Sequence, residues 1–250
     1  TLFLAPQVPR TPEPRPARRP GHLDGSHERN RIGGMNQRDV ITLTTDFGQA
    51  DGYVGTMKGV MLGISPEAQL IDISHQIGPQ DIDEAAYVLY TAYRFFPSRT
   101  VHLVVVDPGV GGGRRPIAVQ LSHGLFVGPD NGVFSFVMAE EHVEAIAELA
   151  DPRYRLRDVS RTFHGRDIFA PAAAHLAAGV PIEDLGPSVE DPVLLPLPRL
   201  EIGSRTARGV VLHTDRFGNA ITSIGRLLWR GGDLSLVPAF RRERGEEARF

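Results

Sequence analysis

Val101-His-Leu-Val-Val-Val-Asp-Pro-Gly-Val-Gly-Gly-Gly-Arg-Arg115 is the stretch on which the fold turns. From Val101 to Val106 it is a nearly unbroken apolar, β-branched run, the pattern of a strand buried on both faces of a parallel sheet with helices over it. Pro108 fixes its own φ and has no N–H for a ladder, and Gly109 tolerates φ > 0, so the strand must end in a turn at Asp107. In open α/β sheets, ligands bind beyond the carboxyl ends of the strands, which is where Asp107 falls. Arg114, seven residues on, can fold back over the glycines to meet it. The same carboxylate also serves as a plain turn cap, with Arg114 and Arg115 solvated. Local pattern leaves both readings open.

Upstream, Val40 to Thr44 reads as a first strand ending in Thr45-Asp46-Phe47-Gly48, a second carboxylate at a strand tip. A helix over Gly52 to Ile64 closes at Ser65-Pro66, and Leu70 to Ile73 is a strand with His75 at its end. From Asp83 to Phe96 the residues Ala86, Val88, Leu89, Ala92 and Phe95 recur at helical spacing until Pro97. Strand, helix, strand, helix, strand is the order of a parallel α/β unit. Before it, residues 1–38 carry six prolines in the first twenty positions, interleaved with arginines and lacking apolar periodicity. Such a segment buries too little surface to offset its ordering entropy, so disorder is expected, with Met35 a natural start.

Downstream, Ile117 to Leu121 and Leu125 to Val127 read as strands, Gly128-Pro-Asp-Asn-Gly132 as a tight turn, and a helix is expected from near Val133. Thr162-Phe-His-Gly-Arg-Asp167 leads into an alanine-rich helix around Ala172 to Ala178, with His164 at its mouth. A lone histidine there is more often structural than functional. Prolines crowd 187–199, which reads as a stiff linker closing an α/β domain of 39–186. Beyond it, Arg208 to Thr214 and Ala220 to Ile224 alternate like antiparallel strands joined by Asp215-Arg-Phe-Gly-Asn219. Residues 200–250 are little for an independent core, so a small, truncated β domain is expected.

The chain has 250 residues, 41% hydrophobic, with no cysteine and a formal charge of −3. That length supports one large core or two smaller ones. Absence of cysteine excludes disulfides, zinc thiolates and thiol catalysis, and fits the cytoplasm. The charge offers no whole-protein attraction to nucleic acid or an anionic membrane, and no segment is long and apolar enough to span a bilayer. The glycines at 109 and 111–113 lack the GK[ST] ending of a phosphate loop and the G-x-G-x-x-G of a dinucleotide site, so neither cofactor is expected. Asp46, Asp107, Asp130, His75 and His164 are ligand types for Mg²⁺ or Mn²⁺, but they lack paired ligand spacing, and no metal is expected.

Thr45-Asp46-Phe47-Gly48, Asp107-Pro-Gly-Val-Gly with Arg114, Gly128-Pro-Asp-Asn-Gly132, Phe163-His-Gly-Arg-Asp167 and Asp215-Arg-Phe-Gly-Asn219 occur in one order over Val40 to Trp229. Together they resemble the S-adenosyl-L-methionine (SAM) hydrolases that form adenosine, also called SAM hydroxide adenosyltransferases, relatives of the SAM-dependent fluorinase and chlorinase. The resemblance implies displacement at ribose C5′ of SAM by water or hydroxide, releasing adenosine and L-methionine without a cofactor. Its catalytic Asp, Arg and His fall on Asp107, Arg114 and His164, and whether Asp107 or His164 is the base stays open. Asp46 resembles the carboxylate that accepts both ribose hydroxyls. Asp215 and Asn219 resemble the groups that hold the methionine ammonium and carboxylate, with Phe217 packing nearby and Asn131 near the substrate. In isolation each of these is also an ordinary turn residue.

The resemblance further implies a homotrimer with sites between subunits. Two departures bear on it. The halogenating relatives lack the trio and bind halide beside the position of Gly165, so hydrolysis is expected over halogenation. The family's adenine-contacting segment has no counterpart after Trp229, which leaves a non-catalytic SAM- or adenosine-binding protein as a further alternative.

Overall fold

A computed structural model describes residues 39–203, 206–230, 233–240 and 248–249. The expectation for residues 1–38, and most of the charged C-terminal run, lie outside the described residues.

The apolar run forms β3, Val101–Val105, with every residue buried. It lies inside a six-stranded sheet whose other members are β1 (Val40–Thr45), β2 (Gln69–Ser74), β4 (Pro116–Leu121), β5 (Gly124–Pro129) and β6 (Val143–Glu148). The order is β2-β1-β3-β5-β4-β6. Pairs β1/β2, β1/β3 and β3/β5 are parallel, and β4 alone runs against its neighbours. The sheet is therefore mainly parallel, as expected, in an α/β fold. Strand β6 was not foreseen. Its Val143-Glu-Ala-Ile-Ala-Glu148 alternates only weakly, and pairing with β4 supplies what the pattern lacks.

Alternation along β3 sends Val101, Leu103 and Val105 to one face and Val104 to the other. On the first face, Met57 and Met61 of α1 (Tyr53–Ile64) and Phe169, Ala173 and Ala177 at the last helix close the core. That helix, α4 (Ala170–Ala177), is nearly all small residues, which lets its backbone approach α1 and β3 closely. On the second face, Leu89 of α2 (Ile82–Ala92) and Val137 of α3 (Ser135–Glu140) cover Ile117, Val119 and Phe126. Burying each Val or Leu side chain stabilises the fold by about 1.5–3 kcal/mol. The polar break in the run, His102, is accommodated in this second face. It stacks on Phe126 at 4.9 Å, bonds Thr42 Oγ1 through Nδ1 at 2.8 Å, and is held neutral, its pKa pushed down to about 3 by burial and by His123.

The expected helix 83–96 ends earlier, at Ala92, and tightens into a 3₁₀ turn over Tyr93–Phe95. Asp81 caps its start by accepting the Glu84 N–H at 2.8 Å. The proline-rich stretch 187–199 runs along the large domain. Proline removes donors, and remaining N–H groups find acceptors there: Val189 on Ile146 O at 3.0 Å, Val193 on Asp130 Oδ1 at 2.7 Å and Leu195 on Ser135 Oγ at 2.7 Å.

The C-terminal region is a set of small antiparallel sheets. They comprise β7 (Leu200–Ile202) with β8 (Ala207–Gly209), β9 (Val211–Thr214) with β10 (Ala220–Thr222), and β11 (Arg226–Arg230) with β12 (Asp233–Val237) and β13 (Ala248–Arg249). The pair β9/β10 matches expectation; β11 and β12 were not read from the pattern. The region docks on α2, where Tyr90 donates to Ala239 O at 3.0 Å and His213 stacks on Tyr87.

Candidate active site

Asp107 leaves the carboxyl end of β3, and the glycine turn after it folds back on itself through Val110 N–H to Asp107 O at 3.2 Å and Gly112 N–H to Gly109 O at 3.0 Å. Gly111 makes this possible. Its φ is +73°, and a Cβ there would lie 2.2 Å from Arg161 O, so no other side chain lets the turn sit against the segment that precedes His164. Arg114 then reaches Asp107 as a fork. Its Nε donates to Oδ1 at 2.9 Å and Oδ2 at 3.0 Å, and Nη2 donates to Oδ2. The same Nη2 lies 2.8 Å from His164 Nδ1, and the guanidinium covers the Phe169 ring at 5.0 Å. The side chains of Arg114 and Asp107 are 10% and 6% exposed, so the pair is largely withdrawn from water. The trio expected from sequence is thus brought into one hydrogen-bonded chain.

An arginine cannot accept a hydrogen bond, so the His164 Nδ1 facing it carries the lone pair and the neutral ring bears its hydrogen on Nε2. Burial and the adjacent Arg114 cation both lower the His164 pKa, which keeps the ring neutral. His164 is placed by a single π turn, Gly165–Phe169, before α4; such one-turn insertions in helices mark functional sites frequently. Asp167, fully buried within that turn, accepts from Ser160 N–H at 2.8 Å and pairs with Arg166, while Ser160 Oγ accepts from Phe163 N–H at 3.0 Å. The loop leading into His164 is therefore pinned from below.

Thr45 is the register partner of Val105, so Asp46 and Asp107 leave adjacent strand tips. Asp46 Oδ2 accepts the N–H of Gln80 at 2.8 Å. Gln80 is the one non-glycine described with positive φ, at 64°, a conformation that costs about 1–3 kcal/mol and concentrates at functional sites. Phe47, next to Asp46, meets Phe163, next to His164, edge-on at 5.9 Å, and Tyr53 completes the aromatic group. The Asp46 turn and the trio therefore share one edge of the sheet.

Asn131 uses its carboxamide locally, donating to the main-chain oxygen of Val106, the residue before Asp107, at 2.9 Å and accepting from Val133 N–H at 3.2 Å. Its neighbour Asp130 pairs with Arg115 at 2.6 Å. Asp215, Phe217 and Asn219 lie on the β9/β10 hairpin, and no hydrogen bond or ion pair among the described residues joins them to the trio. Asp215 accepts from the N–H groups of Phe217 and Asn219 and from Asn219 Nδ2, while Phe217 is 82% exposed. In the sequence, Phe163 and Asp167 stand only as members of the His164 motif, Arg115 is weighed as solvated, and Tyr53 has no role.

A carboxylate at a strand tip, a guanidinium folded back on it and a neutral imidazole at a helix mouth, with a second carboxylate at the adjacent strand tip, define an α/β protein with an enzyme-type site for a small polar substrate. The family model for the SAM hydroxide adenosyltransferase N-terminal domain matches residues 41–186, and the chain belongs to that family. It is 46% identical over 194 residues to an (R)-S-adenosyl-L-methionine hydrolase of Salinispora tropica, covering 75% of this chain and 73% of that one. A fluorinase of Nocardia brasiliensis is 27% identical, covering 76% of this chain and 72% of the relative. The crystal structure of an uncharacterized conserved protein from Thermotoga maritima aligns with a TM-score of 0.71 at 41% identity, covering 74% of this chain and 71% of that chain.

Proposed function

We propose that this chain hydrolyses S-adenosyl-L-methionine to adenosine and L-methionine, with water or hydroxide attacking ribose C5′ and no cofactor taking part. The observation that carries the reading is the bridging of Asp107 and His164 by Arg114. The sulfonium is a neutral thioether once it leaves, so no general acid is required; the chemistry lies in the water. Water is a poor nucleophile, with a pKa of about 15.7, and must be held in line with the C5′–S bond. As the C5′–O bond forms, the water's protons become strongly acidic, and a carboxylate, even one engaged by arginine, is basic enough to take one. We assign that acceptance to Asp107. Arg114 supplies a fixed positive charge that favours hydroxide character, and His164, accepting from Arg114 through Nδ1, fixes the orientation of the guanidinium beside Asp107.

His164 is the weaker candidate for base, because its only lone pair is occupied by Arg114 and protonation there would set two cations together. The likeness to (R)-SAM hydrolases at 46% identity against 27% for the fluorinase supports hydrolysis over halogenation. In this reading Asp46 takes the ribose hydroxyls, and Asp215 and Asn219, with Phe217 and Asn131 nearby, take the methionine end. We further propose a homotrimer in which the hairpin of one subunit completes the site of its neighbour. The exposure of Phe217, Trp229 and Val211 on these hairpins supports this. Among the described residues no helix is long and apolar enough to cross a membrane, and a cytoplasmic location fits a chain without cysteine.

Incubation with SAM followed by chromatography tests the function. Adenosine and methionine are expected in equal amounts, with EDTA and chloride without effect. Chloride-dependent 5′-chloro-5′-deoxyadenosine, or tight binding without turnover, would overturn it.

A further inference from the structure

Lys58, Asp72, His75 and Thr45 form a polar chain from α1 across edge strand β2 to the tip of β1, and the hydrolysis described above makes no use of it. Lys58 Nζ lies 2.7 Å from Asp72 Oδ2, and Asp72 Oδ1 lies 3.0 Å from His75 Nε2, an electrostatic contact rather than an aligned hydrogen bond. His75 Nδ1 lies 2.9 Å from Thr45 Oγ1, which accepts the N–H of Phe47 at 3.3 Å. The N–H of Gly48 donates to the main-chain oxygen of His75 at 2.8 Å. Both N–H groups that follow Asp46 are therefore tied to His75, one through Thr45 and one directly. The Asp46 carboxylate is in turn held by Gln80, at the far end of the same loop.

The partners set the tautomer. A hydrogen on Nε2 facing Asp72 leaves Nδ1 to accept from the Thr45 hydroxyl, whose oxygen keeps a lone pair for Phe47 N–H. The Asp72 carboxyl is resisted by burial, which raises its pKa, yet Lys58 and His75 outweigh this and hold it below the usual range, so the chain begins with a fixed ion pair. Carboxylate, imidazole and hydroxyl in series is also the order of a nucleophilic triad. Thr45 is fully buried, however, and its oxygen is engaged by an N–H, so no electrophile reaches it. What remains is geometry: a rigid backing behind the turn that presents Asp46.

We propose that His75 is a positioning residue for Asp46, setting substrate affinity through the ribose hydroxyls while the displacement step stays with Asp107, Arg114 and His164. This rests on the reading of Asp46 as the ribose carboxylate. The test compares calorimetric dissociation constants of adenosine and 2′-deoxyadenosine for the native protein, His75→Ala, His75→Asn, Thr45→Val and Asp46→Asn, together with SAM kinetics. Hydrogen bonds to a charged group are worth about 1.5–3 kcal/mol, so the native protein should favour adenosine by about tenfold or more. That preference should fall to about threefold or less in His75→Ala and Thr45→Val and recover in part in His75→Asn, whose carboxamide reaches the place of Nδ1. The kinetic loss should fall on KM, with kcat reduced by less. Thr45→Val is close to isosteric and decides the matter if His75→Ala does not fold. Native discrimination kept by Thr45→Val and His75→Ala but lost in Asp46→Asn overturns the role of His75 alone; discrimination kept by Asp46→Asn overturns the ribose reading beneath it.

Discussion

Two turns in this molecule begin with aspartate, contain glycine and satisfy that aspartate in opposite ways. Asp107 is held by a side chain seven residues on, and through it by an imidazole fifty residues further. Asp215 is held by its own turn, through the Asn219 amide and the N–H groups of Asn219 and Phe217, which together with nearby His213 lower its pKa. The first turn is held by side chains brought in from beyond the glycine turn and from the mouth of α4; the second is closed by hydrogen bonds within the turn itself. A catalytic group needs the former, since rigidity from packing holds three side chains in register. A group that meets a partner or a substrate end from outside is served by the latter.

The largest effect is expected where the first turn is broken. Arg114→Met leaves Asp107 in place without its cation, and loss of one member of a buried pair destabilises by about 3 kcal/mol or more. Turnover should fall about 10³-fold at the same time, since a fixed charge aimed at the reacting water is removed. Urea unfolding and SAM turnover measure both; Asp215→Ala run alongside should leave the urea midpoint near native. Equal damage from the two substitutions would erase the distinction.

His164→Gln tests the far end of the Asp107–Arg114–His164 chain, with an expected loss of about 10²-fold in kcat. The pH dependence sharpens it. Burial and Arg114 lower the folded pKa of His164 beneath the unfolded value of about 6.5. The unfolded state therefore takes up this proton first, so stability is fully present above about pH 6.5 and is lost as pH falls toward the folded value. Native activity should hold across pH 6.5 and decline only below it, and that decline should vanish in His164→Gln. A native profile that already falls through the ordinary histidine range would show that Arg114 is not acting on the ring.

The smallest effect on the folded monomer is expected from Phe217→Ala. A side chain 82% exposed adds little to the core, so stability should stay within about 0.5 kcal/mol of native. If the hairpin completes a neighbour's site, the KM for SAM should rise and sedimentation should show weaker assembly. An unchanged KM and mass would confine the hairpin to a local structural role.

Much of this contrast was legible beforehand. The apolar run at 101–106, closed by Pro108, specified a strand buried on both faces, and helices were read at 52–64 and, from the apolar period, at 83–96, because burial writes its period into the chain. Asp46, Asp107 and His164 stood at strand and helix mouths where the fold places ligands. Strand β6 was not legible, since its alternation is weak and its stability comes from β4. The π turn after His164 was equally silent, because no residue type specifies one. Thr45 opens one of the motifs, but no spacing links it to Lys58, Asp72 and His75, which join it only where α1, β2 and β1 lie side by side.

Sequence alone therefore determined the class of fold, the strand tips that bear carboxylates, and a resemblance to SAM-cleaving enzymes, all of which depend on local period and residue type. Tertiary structure decided which nitrogen of His164 is occupied, how Arg114 divides its donors, and what stands behind Asp46. The reason is physical: period and turn chemistry act over a few residues, whereas a hydrogen bond or ion pair between distant residues forms only after the core has closed and brought their backbones together.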